Sequence, residues 1–199
     1  MTLGGDIFLP DKINVEGDEV IVSPGMCRAL NPYVSHVQGL MGPYTELVLE
    51  KRIKVPDTFG LVWGTLDCGA FVKGELHVVD LKFGKGVPVD PSGPQLRFYA
   101  LGLAELLEVS IRSTPVNLTI CQPRIGGEAI RTHTTTLGAL FKWRSHEVIP
   151  ALERIRAGDP TENAGAHCRW CVRKTECKAF AQKHQGHASA AFDDGGLFA

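Results

Sequence analysis

No run of about twenty apolar residues occurs in the 199-residue chain, so no membrane-spanning helix is expected. Nor does its opening, "MTLGGDIFLPDK", have the basic-then-apolar layout of a secretory leader. These two absences point to a reducing cytoplasm, where the six cysteines are not expected to form disulfides. Strong net charge is also missing. At −1 overall, the molecule as a whole lacks the positive balance of a nucleic-acid binder. The distribution is uneven, however. Residues 1–50 hold two basic and seven acidic residues, a net of −5, whereas residues 124–178 hold ten and six, a net of +4. A basic C-terminal third suits either phosphate contacts or an ordinary solvated surface. Internal repeats are absent too. With 44% hydrophobic residues, the length fits one compact domain with at most a small appendage.

What is present reads as an α/β chain. Residues 1–25 are rich in Gly, Pro and Asp and predict a loop or hairpin around "DEVIV". A short helix follows over 25–40, with Pro32 expected to interrupt it. Strands are expected at 45–55, 61–72 and 75–84, the last two joined through Lys73 and Gly74, few enough residues for a tight hairpin. "PQLRFYALGLAELL" (94–107) is an amphipathic helix with proline at its start, where a missing N–H costs nothing. A buried strand is expected at 116–125 and a helix at 136–158 with a break at Pro150. A cysteine-bearing segment (165–182) and a flexible tail (183–199) complete the chain. The helix between the third and fourth strands implies a crossover onto a mixed central sheet flanked by helices.

One strand of the predicted hairpin, "LHVVDLK", carries an acid and a base in its apolar middle. Side chains alternate along a strand, so Asp80 and Lys82 share a face. Asp67 sits on the partner strand, where pairing across the short turn would bring the two carboxylates together at one end of the sheet. Two adjacent carboxylates repel unless they share a proton or a cation, and hard oxygen ligands suit Mg²⁺ or Mn²⁺. A lysine beside such a site fits an anionic transition state. The plain alternative is a Lys82–Asp80 salt bridge with Asp67 capping a turn. Gly64 and Thr65 before Asp67 are small and would let a ligand approach. Gln95 and Tyr99, at i and i+4, put polar tips on one face of an apolar helix. Glu50, in the preceding strand, is a third acid within reach.

In order along the chain, "GTLDCGAF", "HVVDLKFGKGVPV", "PQLRFYALG", "ICQPRIGG" and "HCRWCVRKTECKAFA" resemble the RecB-like branch of the PD-(D/E)XK nuclease superfamily. The likeness is to a phage-encoded exonuclease family related to lambda-type exonucleases and to the iron–sulfur exonucleases of CRISPR adaptation, and it spans about residues 45–182. It implies a restriction-endonuclease-like core in a single domain (1–182). The implied activity is Mg²⁺- or Mn²⁺-dependent hydrolysis of phosphodiesters at DNA ends, by in-line attack of water. Asp67, Asp80, the Leu81 carbonyl and Glu50 would be metal ligands, Glu50 as an auxiliary. Lys82 would position water or balance phosphoryl charge, and Gln95 and Tyr99 would orient the site. The resemblance also implies action in recombination or repair, a single-strand annealing or binding protein as partner, and the bacterial host cytoplasm as location. One departure stands out. Relatives open on a helix carrying a histidine and a glutamate, whereas here the only early histidine is His36, in "YVSHVQG", which reads as a surface histidine. The upstream wall of the site is therefore expected to be trimmed.

Cys168-x-x-Cys171 with Cys177 gives three soft ligands within ten residues, a set for zinc or an iron–sulfur cluster rather than a hard cation. The resemblance implies a 4Fe–4S cluster completed by an N-terminal cysteine, here Cys27 by position. His167 would instead complete a Cys₃His zinc site, and a third outcome is no metal at all. Cys68 and Cys121, in apolar strands, read as core residues. Arg124, Arg131, Lys142, Arg144, Arg169, Arg173 and Lys174 are candidate DNA contacts, with Trp143 and Trp170 as stacking platforms; the alternative is surface charge over packed tryptophans. Two other functions stay open: a non-catalytic or partner-dependent DNA-binding module on a nuclease fold, and a zinc-ribbon interaction protein.

Overall fold

The computed structural model of the protein describes residues 12–15, 17–42, 45–159 and 161–193. The chain parts into two compact units, Met1–Pro150 and Ala151–Ala199.

In the first unit, β1 (Lys12–Val15) and β2 (Asp18–Ile21) form the expected hairpin. Helix α1 (Pro24–Leu40) follows, capped by the Ser23 side chain, which accepts from the Met26 N–H. Pro32 lies inside α1 without ending it, so the expected interruption does not occur. Five strands then build one sheet in the order β3-β4-β5-β6-β7. They are β3 (Leu47–Lys54), β4 (Trp63–Val72), β5 (Glu75–Leu81), β6 (Pro115–Cys121) and β7 (Ile130–Thr136). β4 runs antiparallel to both β3 and β5, β5 and β6 run parallel, and β6 and β7 antiparallel. The β4–β5 turn is tight because Lys73 and Gly74 both take positive φ (52° and 84°), the backbone that a primed two-residue turn demands. The parallel pair needs a crossover, which α2 (Pro94–Leu106) supplies.

The mixed α/β architecture thus agrees with the reading of the sequence. The core lies between α2 and one face of the sheet: Leu96, Ala100 and Leu103 meet Leu66, Leu76, Val78, Leu118 and Ile120. β7, "IRTHTTT", escapes prediction because its polar, half-exposed alternation marks an edge strand with little apolar content. The expected helix over 136–158 divides into α3 (Leu137–Trp143), a π turn (Arg144–Val148) and α4 (Ile149–Arg156). Pro150 explains the division: it offers no N–H, and its ring excludes the carbonyl four residues back. The preceding turn widens, and Ile149 N–H reaches Arg144 O.

In the second unit, a 3₁₀ turn (Ala166–Trp170) leads to α5 (Lys178–Asp193). The helix runs past residue 182, into the segment expected as tail; residues 194–199 lie outside those described.

Candidate active site

The hairpin register fixes the acids. Cys68 pairs with Val79, so Asp67 and Asp80 occupy the next facing positions, where β4 and β5 emerge from the ladder. Asp67 Oδ2 accepts the Leu81 N–H at 2.8 Å. Asp80 is 1% exposed. Its Oδ1 accepts from Gln95 Nε2 at 3.2 Å, and the same amide reaches Tyr99 OH at 3.2 Å. Its Oδ2 meets Lys82 Nζ at 2.5 Å as an ion pair, without a well-directed hydrogen bond. Lys82 keeps 31% of its side chain exposed, so the ammonium sits between the buried acid and solvent. Burial pushes the Asp80 carboxyl above its ordinary range; Lys82 opposes that shift, and Asp67 adds to it.

Glu50 stands opposite Asp67 in the β3–β4 register, at the one step where the ladder loses its pairing, since Leu49 pairs with Cys68 and Lys51 with Leu66. Both strands change face there. Val48 and Ile53 both meet the core although they lie five positions apart. Leu66 meets the core, and a Cβ on Gly69 would collide with Leu103 (2.5 Å). Strict alternation forbids both pairs. Glu50 absorbs the half-step with φ of +44°, a conformation a glutamate holds only where its surroundings enforce it. A Cβ on Gly64 would meet the Tyr99 ring at 2.8 Å, so its smallness seats Tyr99, and Gly64 also lines the groove beside that ring.

α1 lies against β4 on the opposite face of the sheet and brings residues that the sequence reading did not single out. Burial first, then the nearby Cys68, Asp67 and Glu50, hold the Tyr33 hydroxyl protonated well above its ordinary range. His36, expected on the surface, is half-buried, with Nε2 shielded and unpaired. Burial depresses its pKa and also that of His77, where the Glu75 carboxylate 3.7 Å away opposes the shift and His36 adds to it. Cys68 and Cys121 are core residues, as expected, fully buried with thiols pushed up to about 11.

The expected DNA-facing cations divide. Arg124 is exposed, with its guanidinium 4.9 Å over the Phe83 ring, just past Lys82 in the chain. Lys142 is exposed on α3. Arg144 is only 12% exposed, because its guanidinium binds Asp57 (3.1 Å) and the Pro56 carbonyl (3.3 Å); these contacts commit it to structure. Arg131 is likewise occupied, bonding Gln122 Oε1 (2.8 Å) and the Val89 carbonyl (3.1 Å). With buried Gln122, which also bonds Val87 O and Val89 N–H, it clamps the loop that follows Lys82. Trp143 packs against Phe98 at 4.9 Å and is no free platform. Lys51, Arg52 and Lys54 on β3 are exposed as well, further cations that the run "EKRIK" carries in the sequence.

In the second unit, a cavity of about 230 Å³ is lined by Glu162, His167, Cys168, Cys171, Arg173 and Cys177, among others. Cys168 Sγ accepts the Gly165 N–H at 3.3 Å and Cys177 Sγ the Phe180 N–H at 3.4 Å, while the Cys177 thiol donates to Glu162 Oε2 at 3.6 Å. Arg173 and Lys174 are exposed, and Trp170 is 76% exposed. Cys27 lies on α1 of the first unit, half-buried. Among the described residues, no three His, Cys, Asp or Glu side chains are gathered closely enough to hold a metal ion. Asp67 and Asp80 form a pair, with Glu50 across the ladder. Among the described residues, no helix is long and apolar enough to cross a membrane.

Fold and site together define a mixed α/β protein with a buried acid, a second acid and a lysine at one end of its central sheet. The chain belongs to the family described as "Protein of unknown function (DUF2800)", which matches residues 8–198. It is also similar to a solved structure described as "Crystal structure of SSO0001", at 14% identity over 79% of this chain and 72% of that one, with a TM-score of 0.35.

Proposed function

We propose that this protein is a divalent-metal-dependent DNA nuclease of the RecB-like PD-(D/E)XK kind, hydrolysing phosphodiesters at DNA ends in recombination or repair. The observation that carries the reading is the placement of Asp80: buried, held by Gln95, ion-paired to Lys82 and facing Asp67 at the mouth of the sheet. A carboxylate kept where burial opposes its charge is characteristic of functional sites. Asp67 and Asp80 would hold Mg²⁺ or Mn²⁺, with Glu50 and the Leu81 carbonyl as further donors; the bound cation supplies Lewis-acid neutralisation of the phosphodiester.

The chain's own groups do the rest. Gln95, fixed by Tyr99, keeps the Asp80 carboxylate in one orientation. Lys82 turns its ammonium from Asp80 to a non-bridging phosphate oxygen or to the attacking water. That water forms a new P–O bond as the ester P–O bond breaks in line. In the same reading Cys168, Cys171 and Cys177, which line one cavity with His167, would hold an iron–sulfur cluster or, with His167, a zinc ion once drawn closer together. A non-catalytic DNA-binding module is the competing reading, favoured by the Asp80–Lys82 ion pair, which neutralises the buried acid without a metal ion.

Digestion of linear and closed circular DNA with Mg²⁺ or Mn²⁺ decides between them. Wild type degrades the linear DNA, and Asp80→Ala and Lys82→Ala do not. Equal activity in all three overturns the mechanism, no activity in any supports the binding module, and cutting of closed circles makes the enzyme an endonuclease.

A further inference from the structure

Beside the acids lies a groove of about 330 Å³, lined by Ile53, Val62, Trp63, Pro94, Phe98 and Tyr99 among others. This volume is at the small end of ligand-binding cavities. Its walls are apolar and aromatic apart from Gln95, the side chain that hydrogen-bonds Asp80 at 3.2 Å. Groove and site therefore share a wall one side chain thick. Trp63, at the start of β4, is 56% exposed, which is unusual for a large aromatic side chain that the core has not taken up. The Arg52 guanidinium lies 4.0 Å from its ring centroid and fixes the indole by a cation–π contact. On β3, exposed Lys51 shares the face of the groove residue Ile53, and exposed Arg52 and Lys54 alternate onto the other face. An apolar slot with an aromatic wall, next to cations on the adjoining strand and to the acid–lysine pair, fits a nucleobase on a phosphodiester backbone. An apolar peptide would bring no counter-charge to Lys51 and Lys54.

We infer that the groove receives an unstacked nucleobase of the DNA end whose phosphodiester lies at Asp80 and Lys82, with Trp63 as its stacking platform. The inference rests on the nuclease reading and adds its substrate form: a frayed or single-stranded terminus whose base leaves the stack. Base–aromatic stacking tolerates any base, so the site selects strand ends rather than sequence.

The test uses the full chain in Ca²⁺ with single-stranded oligonucleotides. Each carries 2-aminopurine at one of the terminal positions in turn and a dye at the far end. Binding is read by dye anisotropy and stacking by 2-aminopurine fluorescence. Wild type quenches the probe at one terminal position. Trp63→Ala abolishes that quenching and weakens binding about tenfold to a hundredfold, whereas Trp63→Phe retains both. If Trp63→Ala does not fold, Trp63→Leu serves: it fills the wall without a π face and must also lose the quenching. Tight binding with unchanged 2-aminopurine fluorescence at every position overturns the inference, and equal behaviour of Trp63→Ala or Trp63→Leu and wild type does the same. Either result accompanied by Mg²⁺-dependent digestion leaves the nuclease reading standing. Absence of any DNA binding and any digestion overturns both.

Discussion

Asp80 is held against its own preference, and that has two measurable consequences. Burial raises its pKa above the ordinary carboxylate value, and Lys82 offsets this only in part. Between the ordinary and the raised value, the folded chain keeps a proton that the unfolded chain has lost, so the Asp80 contribution to stability falls as pH rises through that window. At neutral pH, Asp80→Asn is therefore expected to raise the melting temperature of chelator-treated protein while lowering nuclease activity at least about a hundredfold. Calorimetry beside a digestion assay checks both; a lower melting temperature would show that the ion pair outweighs burial. Glu50 offers a second case. Its φ of +44° strains a glutamate but not a glycine. Glu50→Gly should hold or gain about 1 kcal/mol in urea unfolding, with activity reduced if the carboxylate serves the site.

At the level of elements, α1 and β5 meet across His36 and His77, both depressed in pKa chiefly by burial. Both histidines prefer to be neutral in the fold. The stability they contribute is complete above the unfolded value of 6.5 and is lost as pH falls below it. Glu75 reduces the loss at His77. Melting temperatures taken from about pH 7.5 down to about pH 5 should fall, and His36→Gln should flatten the slope. β4 yields a packing prediction. Gly69→Ala drives a Cβ toward Leu103 (2.5 Å) and Leu66 (2.9 Å) and should cost about 1–3 kcal/mol by denaturant midpoint. β7 and the π turn show where elements were illegible: an edge strand carries too few apolar residues to register as a strand, and a π turn depends on where one proline falls against the helix repeat.

For the whole molecule, the uneven charge and the cysteine cavity supply the tests. DNA binding should weaken steeply with salt, because a chain of net charge −1 can bind a polyanion only through local cations such as Lys51, Arg52, Lys54 and Arg124, whose contacts release counterions. A salt-independent affinity would remove DNA as the partner. Protein purified without oxygen should carry iron, with absorbance at about 400 nm, or zinc. Finding neither metal by elemental analysis would return Cys168, Cys171 and Cys177 to the role of packed thiols.

The sequence by itself determined the mixed sheet, the α2 crossover, the tight hairpin at Lys73–Gly74 and the side-by-side placement of Asp67, Asp80 and Lys82. Each follows from local rules: side-chain alternation, proline at a helix start, a two-residue turn whose length sets the register. The same rules placed Gln95 and Tyr99 on one helix face. Only the tertiary structure decided what those groups meet. Gly64 proved to seat Tyr99, Arg144 and Arg131 to be bound to backbone and side chains rather than free, and α1 to bring Tyr33 and His36 against β4. It also showed both strands changing face at Glu50 and Asp67. Such contacts depend on which surfaces fold against one another, and no single stretch of sequence specifies that.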